Sequence, residues 1–222
     1  MPQPAVPGTP RPLIVVGGGG FAREVIWLAR ESRQSFDVVG CLDDADASQG
    51  KTLSDVPVLG RVDDWQHHAE AAFVVAIGAP RTRRAVVQKM LARGTPAFAT
   101  LVHRSVQHSA YVEFGAGSMI AAGCLITTQI TIGEHAIVNI GCTIGHDTVI
   151  EDFCTVAPIV AVSGNVHLQA GCEVGTGSSL RQGIRVGRGA MVGMGSVVTR
   201  DVADADLVLG SPARSARQLD AF

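Results

Sequence analysis

The chain has 222 residues, a formal net charge of −2, 5% aromatic residues and 26 glycines. That length allows one large domain or two modest ones with proper cores. The basic residues form no cluster beyond the scattered Arg81, Arg83 and Arg84, so no nucleic acid or anionic membrane is expected as a partner, and no apolar run approaches the length of a membrane span.

Residues 1–12 are proline-rich and lack the charged-then-apolar pattern of a signal peptide. They are expected to form a short flexible tail on a cytoplasmic protein. Residues 13–16 read as a short apolar strand. Gly17-Gly18-Gly19-Gly20 follows, and residues 21–33 carry helical spacing through Val25, Leu28 and Ala29. Strand, glycine turn and helix open a nucleotide-binding βαβ unit, and Gly17, Gly19 and Ala22 fit G-x-G-x-x-A. Glycines let the backbone approach a phosphate, and the helix N-terminus attracts its charge. Residues 37–42 read as a second strand ending in Asp43-Asp44, where a carboxylate can bind a ribose or base. Residues 56–59 make a short segment and 63–68 a helix. Residues 72–77 make a buried strand closed by Gly78. Residues 81–93 make a helix with an apolar stripe (Val86, Val87, Met90, Leu91) and Gly94 as C-cap. Residues 13–101 therefore predict an α/β, Rossmann-like domain with room for one mononucleotide-sized site.

From Phe114 to Val198 every sixth residue is a large apolar one: Phe114, Ile120, Ile126, Ile132, Val138, Ile144, and so on without an insertion. A helix repeats near 3.6 and a strand near 2, so a strict period of six means a repeated short strand plus a turn. That is the signature of a parallel β-helix. Three hexads make one triangular coil of 18 residues, so the run predicts about five coils and a prism on the order of 24 Å tall. The residue four further on is mostly small or β-branched (Cys124, Cys142, Thr148, Cys154) and should also point inward. The residue just after the aliphatic is often Gly (Gly115, Gly133, Gly145, Gly175, Gly187, Gly193) and is expected to permit the turn. Cys124 and Cys142 are 18 apart, as are Cys154 and Cys172, and should stack as small core hydrophobes rather than disulfides. The pattern is expected to stop near Arg200, where Asp201, Asp204 and Asp206 interrupt it. Residues 207–212 read as an extended exit and 213–219 as a short helix over the open end. Residues 102–222 form the second domain.

Of the seven histidines, six have bland readings. His67 and His68 sit on a surface helix, and His103, His108, His135 and His167 at the β-helix entry or its turns. No third ligand joins His103 and His108, so no metal site is expected. His146 differs: it follows Ile144-Gly145 at a corner, and Asp147 comes next. A carboxylate beside a histidine fixes its tautomer and stabilises the imidazolium, which suits a general base. Neighbours on a strand point to opposite faces, so Asp147 can help only if the turn bends it back. No Ser or Cys stands beside such a base, so an acyl-enzyme is not indicated.

The glycine-rich domain, the hexapeptide repeat, His146-Asp147 and the terminal Val208-Leu209-Gly210-Ser211-Pro212-Ala213-Arg214 together resemble the sialic acid O-acetyltransferase and bacterial nucleotide-sugar N-acetyltransferase family, over nearly the whole chain. The resemblance implies a left-handed β-helix, a homotrimer, and acetyl-CoA as co-substrate in the groove between neighbouring β-helices. It implies that His146 is the base, Asp147 its acidic partner and Asn139 an active-site residue. Gly19, Gly20, Phe21, Asp43, Asp44 and Gly78 match positions that hold the nucleotide-sugar. Thr155, Thr176 and Met194 match positions that contact acetyl-CoA, with Gly164-Asn165 in the turn between them. Many relatives have His where this chain has Phe21, and a second His where it has Thr155. The function implied is direct transfer of an acetyl group to an amino or hydroxyl group of a nucleotide-linked sugar, without a metal.

Two other readings use the same scaffold, because fold does not dictate function. A zinc hydratase of the γ-carbonic-anhydrase type would need three converging histidines and has no use for a glycine-rich domain. A non-catalytic nucleotide sensor would leave His146-Asp147 unexplained. Sialic acid, or another acceptor not linked to a nucleotide, also stays open.

Overall fold

Arg11–Val16 (β1) is the middle strand of the first domain, and its apolar residues Leu13, Ile14, Val15 and Val16 are all wholly buried. A computed structural model describes residues 10–222, so residues 1–9 of the expected tail lie outside the described residues. Residues 11 and 12 belong to the sheet, not to the tail. Parallel pairing to Phe36–Leu42 (β2) and Ala72–Val75 (β5) encloses β1 on both edges. Thr52–Leu53 (β3) and Val56–Gly60 (β4) complete the sheet in the order β3-β4-β2-β1-β5. Alternation along β1 sends Leu13 and Val15 to one side and Ile14 and Val16 to the other. Gly20–Arg30 (α1) covers the first side through Ala22, Val25, Leu28 and Ala29. Pro80–Leu91 (α2) covers the second through Val87 and Met90. Both helices stop two or three residues short of the expected ends. Pro80 opens α2, where its missing N–H costs nothing, and residues 62–68 form a 3-10 turn.

The second domain is a left-handed parallel β-helix with three faces. The first face contains Leu101–Val102, Met119–Ile120, Ile137–Val138, Thr155–Val156, Glu173–Val174 and Met191–Val192. The second runs from Gln107–His108 through Leu125–Ile126, Thr143–Ile144, Ala161–Val162 and Ser179–Leu180 to Val197–Val198. The third runs from Val112–Phe114 to Arg185–Val186. Each strand pairs with the one 18 residues on, as Ile126 with Ile144 and Ile144 with Val162. The columns of aliphatics and the small residues between them are buried, Cys124, Cys142, Cys154 and Cys172 among them. All five cysteines are free, and the Cys154 and Cys172 sulfurs lie 3.6 Å apart.

The turns differ from expectation in one respect. The left-handed backbone falls three residues after each aliphatic, at Gly117, Gly123, Gln129, His135, Gly141, Asp147 and onward to Gly195. The glycine directly after the aliphatic has another job. A Cβ on Gly133 would come within 2.6 Å of the Asp152 nitrogen, and one on Gly145 within 2.5 Å of the Gly164 nitrogen. These glycines let one coil lie directly on the next.

The lower end also corrects the sequence reading. The coil does not stop near Arg200: Val202 bridges Val186, and Leu207–Val208 pairs with Met191–Val192. The aspartates break the period but not the stacking. Asp201 and Asp204 carboxylates accept the Arg185 and Arg188 N–H groups at 2.9 and 3.1 Å. No cap helix forms. Ala213–Gln218 is a strand, antiparallel to Asp206–Gly210, and it covers the last edge of the first face. A strand edge needs main-chain partners, which another strand supplies and a helix does not.

The first face is the seat of the α/β domain: Met119 and Ile137 share one core with Leu13, Ala22 and Val25. The pin of that seat is Arg83, wholly buried on α2. Its guanidinium donates to the carbonyls of Ile77 and Gly78 in its own domain, at 2.6 and 2.8 Å. It also donates to the carbonyls of His135, Phe153 and Cys154 in the β-helix, at 2.9, 2.7 and 3.2 Å. Burial holds its pKa down to about 10. His135 lies beside it, stacked on Phe153 and edge-on to Phe98. Burial, with the Arg83 charge second, pushes His135 down to about 4.

Candidate active site

His146 stands on the second corner, where the chain leaves Thr143–Ile144 for the third face. The corner needs a left-handed residue three after Ile144, and that residue is Asp147, at φ 58°. Asp tolerates this conformation better than most residues. The bend turns Asp147 back, and its carboxylate accepts the His146 Nδ1–H at 2.7 Å. The condition set by the sequence is therefore met by the turn itself. With Nδ1 engaged, Nε2 is the nitrogen left to take a proton. Both side chains remain open, 55% and 59% exposed in the single chain.

Gly164 lies one coil below. A Cβ there would come within 2.5 Å of His146 Nε2, so the imidazole rests on bare backbone. The Asn165 N–H also donates to the His146 carbonyl at 2.7 Å. Gly164→Ala should leave thermal unfolding nearly unchanged but displace the ring and cut turnover about a hundredfold, the usual cost of a small misplacement. Steady-state kinetics beside a melting curve checks this.

Asn139 is elsewhere. It follows Ile137–Val138 on the first corner, a full strand away from His146 in the chain's own coil. Its side-chain oxygen accepts the Ile140 N–H at 2.7 Å. Thr176 and Met194 stack below Ile140 on that same corner, and Met194 is 78% exposed. The expected residues thus form two groups: His146, Asp147 and Gly164 on the second corner; Asn139, Thr176 and Met194 on the first.

Thr155 belongs to neither. It is 8% exposed on the first face. Its hydroxyl donates to the Gly78 carbonyl at 2.8 Å and accepts from Arg83 at 3.0 Å. Its hydroxyl, expected to face acetyl-CoA, is engaged at the seam, where Thr155 ties the two domains together. Gly78 shares that role through its carbonyl.

The glycine loop is open. Gly19 precedes α1 with no side-chain cap, and nothing lies within 4 Å of a Cβ built there. Asp43 sits against the loop, 2.7 Å from where a Gly18 Cβ would be. Asp44 is occupied: it accepts the Val62 N–H at 2.9 Å and pairs with Lys89 at 3.0 Å. Although its desolvation opposes this, the Lys89 and Val62 hydrogen bonds hold its carboxyl below the usual range. Of the acidic pair only Asp43 faces the loop. Phe21 begins the wall of a groove between α1 and the β-helix, with Trp27, Met119, Ile137, Asn139 and Ile140. Arg83 is the residue that sequence reasoning missed. Its position beside the apolar stripe of α2 was the only signal.

The PglD N-terminal domain family matches residues 12–90. The chain is 31% identical over 174 residues to GDP-perosamine N-acetyltransferase of Escherichia coli O157:H7, covering 76% of this chain and 77% of that protein. It superposes on the PglB acetyltransferase domain of Neisseria gonorrhoeae, solved with acetyl coenzyme A, with a TM-score of 0.86 and 29% identity, over 94% and 100% of the two chains. A histidine mutant of perosamine N-acetyltransferase from Caulobacter crescentus, solved with CoA and GDP-perosamine, gives a TM-score of 0.84 and 28% identity, over 93% and 97%. The chain also matches acyl-[acyl-carrier-protein]–UDP-N-acetylglucosamine O-acyltransferases, 32% identical over 87 residues in Pseudomonas aeruginosa, but spans only 34% of their length.

Proposed function

We propose that this chain, which belongs to the family of hexapeptide-repeat nucleotide-sugar N-acetyltransferases, moves the acetyl group of acetyl-CoA to an amino group of a nucleotide-linked sugar. The observation that carries the reading is the His146–Asp147 pair, bent together by the corner and left open. His146 Nε2 takes a proton from the acceptor amine as its nitrogen attacks the thioester carbonyl. Asp147 stabilises the imidazolium that forms. The C–S bond then breaks, and the leaving thiolate takes the proton. The residues that fit the nucleotide are Gly19, Gly20, Phe21 and Asp43 around the open loop.

The two corner groups support a homotrimer. One chain holds His146 on one corner and Asn139, Thr176 and Met194 on another. A neighbouring β-helix would bring its first corner to this chain's second, and acetyl-CoA would lie in the groove between them. Such packing would cover exposed apolar side chains on the first corner and second face: Leu125, Ile140, Ile159, Met194 and Val197.

The test is thiol release from acetyl-CoA against a panel of UDP- and GDP-linked 4-amino sugars, with CMP-sialic acid and free sialic acid included. Turnover on one amino sugar is the expected result. Turnover confined to sialic acid would replace the amino acceptor with a hydroxyl. Nucleotide binding without any acetyl-CoA turnover would sink the enzyme reading.

A further inference from the structure

The third corner, where the chain leaves the third face for the first, changes character below Phe153. Its left-handed residues are in turn His135, Phe153, Gly171 and Gly189. The rings of His135 and Phe153 stack at 5.2 Å. The next two coils have no side chain to continue that stack, and the ring of Phe222 lies there instead, 6.5 Å from Phe153. A Cβ on Gly171 would run into that ring, and one on Gly189 would come within 2.5 Å of the Phe222 Cβ. Both glycines are buried. The bare corner is therefore a seat, and a residue distant in sequence fills it.

After the strand Ala213–Gln218 the chain leaves the sheet edge and crosses to α2. The Leu219 N–H donates to the Ala205 carbonyl at 2.6 Å. Arg81, in the first turn of α2, donates to the carbonyls of Asp220 and Ala221, both at 2.6 Å. The guanidiniums of Arg81, Arg84 and Arg188 lie 5.6, 4.8 and 5.6 Å from the centre of the Phe222 ring, within the reach of a cation–π attraction. Two of these arginines belong to the α/β domain and one to the β-helix. Among the described residues, none of the three pairs with a carboxylate. The crossing segment separates two open recesses. One, of about 550 Å³, is walled by Thr82, Glu173, Met191 and Leu219; the other, of about 510 Å³, runs along Arg84, Ala85 and Gln88. The α/β domain is thus held at this flank of the first face, away from Asn139, by four residues that belong to neither sheet. Arg81 links them to the turn that carries Gly78, three residues before it.

We infer that residues 219–222 are a latch across the domain seam: seating Phe222 on the third corner fixes the first turn of α2, and with it the Gly78 turn, above the first face. The consequence for nucleotide-sugar binding rests on the acetyltransferase reading above and on the place of Gly78 in it; the latch itself does not. Phe222→Ala and Arg84→Gln should each speed hydrogen exchange in residues 81–88 by about threefold to tenfold, with no change in β1. Arg84→Lys should stay close to the parent. Gly171→Ala meets the same positive φ in any background, but its clash exists only while the ring is seated. Its cost, read as a change in the unfolding constant, should therefore be about tenfold larger in the parent than in Phe222→Ala. Phe222→Ala should also weaken, by about threefold to tenfold, the binding of the nucleotide-linked amino sugar that the parent turns over, with CoA affinity unchanged. Unchanged exchange in α2, or an equal cost of Gly171→Ala in both backgrounds, would overturn the latch. Faster exchange with unaltered nucleotide-sugar affinity would overturn its link to Gly78 alone. A parent protein that binds no nucleotide-linked sugar would overturn the acetyltransferase reading, while exchange and the Gly171–Phe222 cycle would still decide the latch.

Discussion

His146→Ala is expected to lower kcat by about 10²–10⁴ while the protein stays folded, since that range is the usual worth of a positioned general base. The side chain is open and its ring makes one hydrogen bond, to Asp147. Its loss removes little packing, so the melting temperature should barely move. Residual turnover would come from alignment of the two substrates. Asp147→Asn should fall between parent and His146→Ala, because an amide can still orient the ring but no longer stabilises its charge. Rates with acetyl-CoA at neutral pH, beside unfolding curves, test both. Near-full activity in His146→Ala would remove the base from the mechanism.

Arg83→Met is the second large expected effect, and it acts on stability. The wholly buried guanidinium serves five main-chain carbonyls and the Thr155 hydroxyl. Methionine has similar length and no donors. Each buried acceptor left without a partner costs about 1–3 kcal/mol, and relaxation will recover some of it. A net loss of at least about 3 kcal/mol is expected, or roughly 6–12 °C in melting temperature for a chain of this size. The carbonyls lie on both domains, so the seam between them should loosen first. Hydrogen exchange should then rise at residues 77–78 and 153–155 before it rises in the β1 core. A shift below about 1 kcal/mol would show that the seam rests on apolar packing instead.

The sequence alone determined the repeat and its consequences. A period of six held from Phe114 to Val198 leaves one solution, because each aliphatic must be buried and each coil must return after 18 residues. The strand–glycine–helix opening was legible for the same local reason: Leu13 to Val16 form an apolar run that must be buried, and Gly17 to Gly19 separate it from the helix that starts at Gly20. His146-Asp147 stood out as a residue pair, but whether the two could meet depended on one backbone angle. The positive φ falls three residues after the aliphatic, at Asp147, and not at Gly145. Composition pointed to the glycine; coil stacking decided what that glycine was for.

Only the tertiary structure decided the roles of Arg83, Thr155 and Asp44. Each is polar and looks free in sequence, yet each is occupied by groups distant along the chain: Arg83 by residues 135 and 153, Thr155 by Gly78, Asp44 by Lys89. Such partners are brought together by domain packing, which has no period to read. The C-terminal end went the same way. Residues 213–218 carry no strong pattern of their own, and the unpaired edge left at Asp206–Gly210 makes them a strand. Local periodicity sets the elements; the demand that every buried polar group find a partner sets which of the remaining side chains are free to do chemistry.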